Sequence, residues 1–259
     1  MTAGGSGARL RVEGLGMRFG GLRAVSDVDL DVPPGRITAI IGPNGAGKTT
    51  FFNVVSGFCR PTSGRVTLDG RDVTGLAPHR MARLGVARTF QATRLFPEAS
   101  VLDNVIVGRR LHTKSNVFDA LLRSGRHRRE ERESRERAYA ALEATGTAQL
   151  AEVPVGSISQ EARKRVAFAL ALATEPRLLL LDEPAAGINP HETDGLAELI
   201  RSIARRGVTI CLVEHKMRMV MDLSDHVAVL NHGKKIAEGT PEQIRRDPVV
   251  IDAYLGAEH

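Results

Sequence analysis

The sequence predicts an α/β fold: a parallel sheet, a small antiparallel sheet ahead of it, and a block of helices inserted into it. Three observations carry that reading. Ile37-Thr38-Ala39-Ile40-Ile41 is an apolar run that ends at a glycine-rich loop and resumes as a helix at Phe51-Phe52-Asn53-Val54-Val55. Leu178-Leu179-Leu180-Leu181 reads as a strand buried on both faces, with Asp182 and Glu183 at its carboxyl end. Between them, from about residue 97 to 156, the pattern turns helical, with Val101, Val105 and Ile106 on one face.

Taken in order, residues 10–15 and 25–32 alternate apolar and polar as half-buried strands do. Pro33-Pro34-Gly35 is a turn that delivers the chain into the apolar strand. Residues 65–70 read as a further strand closing on a turn, which makes the N-terminal part a small, largely antiparallel sheet. Phe19, one of few aromatics, either packs in the core or stacks on a flat ring, and its position alone favours the core. Residues 123–137 are rich in arginine and glutamate. Glu131 with Arg135 and Glu133 with Arg137 have the i,i+4 order of an exposed helix. Without interleaved aromatics, this stretch reads as a solvated face rather than a nucleic-acid arm. Residues 208–213 form another apolar strand, ending at Glu214-His215, and the chain closes in a short helical tail from Pro241.

The glycine-rich loop is Gly42-Pro43-Asn44-Gly45-Ala46-Gly47-Lys48-Thr49-Thr50, which fits G-x-x-x-x-G-K-[ST]. The glycines let the backbone curl so that successive N–H groups point at phosphate oxygens. The following helix adds the positive end of its dipole. Lys48 is placed to reach the β- and γ-phosphates, and the Thr49 hydroxyl to ligate Mg²⁺. Asp182 is expected to hold that ion through water, and Glu183 to polarise the attacking water. His215 is either a satisfied surface histidine or a γ-phosphate contact.

The 259 residues suffice for one large domain or two lobes, and 42% hydrophobic with 25% charged residues suits a globular chain. No apolar run approaches the roughly 18 residues that span a bilayer. Residues 1–7 lack the apolar stretch of a signal peptide, and Cys59 and Cys211 have no metal-ligand spacing, so a reducing cytosolic compartment is expected. The net charge of +6 suits anionic partners or simply a solvated basic surface.

On these residues the sequence resembles the ATP-binding subunits of ABC transporters, from about residue 10 to 256. The resemblance implies a P-loop NTPase core with an N-terminal antiparallel β subdomain and an inserted α-helical subdomain. It implies an ATP-binding domain at residues 9–240, with the helical insertion at about 97–165 and a tail at 241–259. It makes Phe19 the adenine-stacking aromatic, Gln91 the Mg²⁺-sensing glutamine that faces the membrane subunit, Glu183 the catalytic glutamate and His215 the switch histidine. Thr49, Gln91 and Asp182 then serve the metal, and ATP with Mg²⁺ is the ligand.

Arg88-Thr89-Phe90-Gln91 with Arg94-Leu95-Phe96-Pro97, Ala185-Ala186-Gly187-Ile188-Asn189-Pro190 and Glu238-Gly239-Thr240-Pro241 are similar to the branched-chain amino-acid importers. The implied function is ATP hydrolysis that drives uptake of a small solute, an amino acid. The implied partners are membrane permease subunits, an extracytoplasmic solute-binding protein and a second ABC ATPase subunit, with no nucleic acid. The implied place is the cytoplasmic face of the cell membrane. Two other functions fit less well: a soluble ABC ATPase acting on nucleic acid, and a regulatory nucleotide-binding protein with weak turnover.

One segment departs from the family. Its signature, leucine-serine-glycine-glycine-glutamine, falls on Ile158-Ser159-Gln160-Glu161-Ala162, and Leu170 stands where arginine is usual. Ser159 survives as a γ-phosphate contact toward the opposite subunit, but Glu161 replaces a glycine. A carboxylate facing phosphate at about 4 Å costs up to ~4 kcal/mol at an effective dielectric near 20, unless it turns away. In a homodimer that departure would impair both sites. The resemblance to the branched-chain importers, which pair two different ATPase chains, implies a partner whose signature is intact.

Overall fold

The computed structural model describes residues 7–89, 95–111 and 125–255. The chain divides into two compact units, Met1–Gln91 with Arg177–His259, and Ala92–Pro176.

The first unit carries two sheets. Leu10–Phe19 (β1), Leu22–Val32 (β2), Ser63–Leu68 (β4) and Arg71–Asp72 (β5) form an antiparallel sheet in the order β2-β1-β4-β5. β1 is longer than its alternation suggests. An extra residue between Val12 and Leu15 bulges the strand, with Gly14 at φ 57°, and shifts the buried face.

Ile37–Ile41 (β3) starts the second sheet. It is joined by Val86–Thr89 (β6), Leu178–Asp182 (β7), Thr209–Val213 (β8), His226–Asn231 (β9) and Lys234–Gly239 (β10), in the order β10-β9-β3-β8-β7-β6. All neighbours pair parallel except β10, which folds back on β9. His232 at φ 46° and Gly233 at φ 77° make that turn, the two left-handed positions a tight hairpin needs. β6, β9 and β10 are additions to the strands read from sequence.

Lys48–Val55 (α1) follows β3, and Pro78–Arg83 (α2) precedes β6. Phe51 and Phe52 of α1 are fully buried in one core cluster with Leu10, Val12 and Leu15 of β1 and Leu178 and Leu180 of β7. Each such phenylalanine contributes about 2–3 kcal/mol of burial. The phosphate-loop helix is therefore anchored by its apolar face to both sheets.

The second unit is helical: Val101–Val107 (α3), Gly125–Ala144 (α4) and Gln160–Ala173 (α5). Leu102, Val105, Leu142, Val166 and Ala169 form its core. α4 has the solvated face expected, but Arg135 and Arg137 pair outside the helix, and the i,i+4 pair it forms is a different one. Arg135 reaches Glu152 at 2.8 Å and Arg137 reaches Glu175 at 3.6 Å, while Arg132 pairs with Glu136. For Arg135 and Arg137, contacts from outside the helix outcompete its own turns.

Pro190–Arg205 (α6) and Met217–Leu223 (α7) return to the first unit. Pro241–Arg246 (α8) and Pro248–Leu255 (α9) form the tail. Thr240 and Gln243 close a capping box on α8, which fixes where the tail helix starts.

Candidate active site

The carboxyl ends of three adjacent parallel strands define the site. β8 lies between β3 and β7, with Ile40 and Asp182 both paired to Val213. One residue further along, Glu183 leaves β7 and Glu214 leaves β8, and two residues past Ile40 the phosphate loop leaves β3 at Gly42. Open α/β sheets place ligands in this position.

Two glycines of the loop are demanded by its geometry. Gly42 sits at φ 151° and Gly47 at φ 99°, and an added Cβ would come within 2.0 Å of the Leu230 carbonyl and 2.3 Å of the Ala24 carbonyl. Gly47 is also the N-cap of α1, with no side chain capping the helix and no acid in its first turn. The N–H groups at that helix start stay available to an anion.

Lys48 is buried, and its Nζ donates to the carbonyls of Gly42 at 2.6 Å and Pro43 at 2.8 Å. Burial lowers its pKa, and the nearby charge of Glu183 works in the opposite direction. A buried ammonium held only by neutral carbonyls in these contacts is a fit for anionic phosphate oxygens. Thr49 is exposed and Thr50 half-buried at the same helix start. Pro43, Asn44, Gly45 and Ala46 complete the loop, with Ala46 packed in the core and Asn44 and Gly45 exposed. From the tail, Tyr254 reaches the loop's start. Burial pushes its hydroxyl up to about 12, against a hydrogen bond with the Gly42 backbone.

Asp182 is buried, and its Oδ2 accepts from Arg88 Nη2 at 2.6 Å. Glu183 has φ 47°, a left-handed conformation unusual for glutamate, and its backbone N–H donates to Val213 O at 2.9 Å. That twist lets successive acids diverge, one into the protein and the other toward the loop. His215 is 56% exposed, with Nδ1 3.4 Å from Glu214 Oε1 and 3.9 Å from Glu183 Oε2. Sequence reasoning missed Glu214, which is fully buried. Its Oε2 accepts from Ala185 N at 2.9 Å and its Oε1 from His215 N at 2.9 Å and Lys216 N at 3.2 Å. It ties the turn after β7 to the turn after β8. A second acid beside His215 at a strand end was the available signal.

Among the described residues no group of three or more His, Cys, Asp or Glu could cage a metal ion. A Mg²⁺ ion fits as one that takes few protein ligands and completes its shell with phosphate and water. Thr49 and Asp182 are the residues that could supply a hydroxyl and a carboxylate for that arrangement. Gln91 lies outside the described residues.

Phe19 is 50% exposed at the tip of the β1–β2 hairpin, which corrects the core placement favoured by its position. With Gly20-Gly21 beside it, the ring is open to a stacking partner. In the second unit, Ser159 caps α5 by accepting from Ala162 N at 3.1 Å. Glu161 does not project forward from the helix start: its Oε1 pairs with Arg165 Nε at 2.9 Å, one turn along. Arg163 backs the preceding loop, donating to Val155 O and Gly156 O.

The family described as ABC transporter matches residues 25–186, and one described as branched-chain amino acid ATP-binding cassette transporter matches residues 234–259. The chain is 47% identical to the high-affinity branched-chain amino acid transport ATP-binding protein BraF of Pseudomonas aeruginosa, over 95% of this chain and 97% of that one. It is 45% identical to LivG of Escherichia coli K12, a protein described in the same words, with the same coverage. Among solved structures it is similar to the ADP conformation of the ATP-binding cassette MJ1267, at TM-score 0.83 and 29% identity, covering 96% of this chain and 99% of that one.

Proposed function

The chain belongs to the ABC transporter family of ATP-binding proteins, and on that footing we propose that it powers branched-chain amino-acid uptake through a separate permease. It is an importer ATPase subunit and binds ATP. No helix among the described residues is long and apolar enough to cross a membrane, and the likeness to importer ATPases supports membrane permease partners. We assign the chain to the cytoplasmic face of the membrane as a peripheral subunit.

The observation that carries the reading is the convergence of Lys48, Asp182, Glu183 and His215 at the ends of β3, β7 and β8. Lys48 and the N–H groups at the start of α1 hold the phosphates, and Phe19 stacks on the adenine. Thr49, Asp182 and Gln91 would hold Mg²⁺, which would supply charge neutralisation for the phosphates. Glu183 orients the attacking water and takes its proton. His215, steadied by Glu214, contacts the γ-phosphate. The domain assignment follows: residues 9–240 bind ATP, about 97–165 transmit the movement, and 241–259 form the tail.

Ser159 caps a second ATP on the opposite subunit. Arg165 draws Glu161 back from the phosphate, so the departure that remains is Ala162 in place of glutamine. On that and the resemblance to importers that pair two ATPases, the opposite subunit is a different ATPase chain, and an extracytoplasmic binding protein delivers the solute. Reconstitution in liposomes with permease and partner ATPase tests this. ATP-dependent uptake of labelled leucine, lost in Glu183→Gln, is the expected result. Vigorous hydrolysis by the chain alone would overturn the heterodimer.

A further inference from the structure

Arg88 is a charged residue inside a strand that is otherwise buried, and its surroundings are unusually specific. It lies in β6, paired with Leu180 of β7, so its guanidinium reaches the strand end two residues on. Nη2 donates to Asp182 Oδ2 at 2.6 Å, and the two side chains are only 6% and 9% exposed. Nη1 donates to Asn53 Oδ1 and Ser56 Oγ, both at 2.8 Å, at the carboxyl end of α1. The rings of Phe52 and Phe58 lie 5.7 and 5.6 Å from its carbon. One planar cation therefore joins the last turn of the phosphate-loop helix to the aspartate that ends β7.

We propose that Arg88 is a positioning residue for the metal side of the nucleotide site. It occupies one oxygen of Asp182, turns the other toward the ion's water shell, and fixes the span between Asp182 and the helix that carries Thr49. This rests on the role proposed for Asp182. The physical basis is that a buried carboxylate needs a partner, and the partner's geometry then sets which oxygen stays free. A guanidinium suits the task because its planar fork bonds the carboxylate with one arm and α1 with the other, which an ammonium cannot do in a fixed plane. The cation also competes with the metal for the same carboxylate. Arg88 thereby holds metal affinity down while holding the geometry that turnover needs.

The test is a titration of Mn²⁺, followed by electron paramagnetic resonance, into the ADP-loaded full chain, alongside ATP turnover of the reconstituted assembly. Arg88→Gln removes the charge. Its Mn²⁺ affinity rises about threefold as the competing cation is lost, while turnover falls about tenfold. Arg88→Lys keeps the charge, so Mn²⁺ affinity stays within about twofold of wild type while turnover still falls, because an ammonium cannot reproduce the fork. Unchanged or weaker Mn²⁺ binding in a folded Arg88→Gln, or wild-type turnover in Arg88→Lys, would overturn the proposal. If circular dichroism shows Arg88→Gln unfolded, Asn53→Ala decides. Combined with Ser56→Ala it spares the Asp182 pair and cuts both bonds of the tether, and a turnover equal to wild type in that double variant would end the idea. Asp182→Asn separates the two readings: Mn²⁺ affinity unaffected there removes the metal role of Asp182 itself.

Discussion

Two helix starts in this protein, which the proposed function assigns to the same ligand, are capped by opposite means. At α1 the cap is Gly47, no side chain takes the first N–H groups, the first turn has no acid, and Lys48 stands at the entrance. At α5 the cap is Ser159, its hydroxyl already accepts from Ala162 N, and Glu161 lies in the first turn. α1 spends its positive end on a ligand, whereas α5 satisfies part of its own. An acid in the first turn stabilises a free helix but reduces its attraction for an anion. The bond from Arg165 to Glu161 softens that conflict by drawing the carboxylate back along the helix. The difference teaches that an anion site depends on what a helix leaves unsatisfied, beyond the presence of an N-terminus.

The comparison breaks first at Lys48. Lys48→Ala should lower ATP affinity by about 100-fold, since it removes the charge in a desolvated site, as measured by binding of a fluorescent nucleotide. An equal loss on Ser159→Ala would mean that the two starts are equivalent after all. Next in size is Glu183→Gln, which should cut turnover of the assembly by about 100-fold with nucleotide binding intact.

Arg165→Met sharpens the comparison. Freed from its partner, Glu161 can swing forward, and turnover in the assembly should fall about tenfold, a fraction of the like-charge limit. Glu161→Gly in the same background should recover it. No recovery would show that Arg165 acts elsewhere, for example through its 3.4 Å contact with Thr145 O.

The smallest effect concerns stability. Burial depresses the Lys48 pKa below its ordinary 10.5. Between the depressed value and 10.5 the unfolded chain binds a proton that the folded chain has released. The Lys48 contribution therefore becomes more favourable as pH rises through that window and levels off above it. Lys48→Met should raise the melting temperature of the nucleotide-free chain near neutral pH by about 1–3 °C, on the scale of 1 kcal/mol in a chain this size. The advantage should shrink toward pH 10.5. A lower melting temperature in the variant would show that the bonds to Gly42 O and Pro43 O outweigh the burial cost.

Local pattern was enough to determine the phosphate loop, the acids Asp182 and Glu183, the flanking strands and the helical insertion. Each of these is a contiguous run whose spacing, glycine content or periodicity is its own physical signature. The strand order β3-β8-β7-β6 was decided only in three dimensions, and most of the site's finer structure depends on it. It brings Arg88 onto Asp182 across 94 residues and sets Glu214 under the turn after β7. The side-chain directions of Phe19 and Glu161 came from the same level. Phe19 is lifted off the core because β1 carries a bulge and ends in an exposed hairpin. Glu161 turns back because Arg165 lies one helical turn away and offers a charge at 2.9 Å. The Glu161–Arg165 spacing of four was present in the sequence. Which partner each side chain takes is nonetheless settled by what is nearest in space, and nearness across a sheet is not written in any short stretch of sequence.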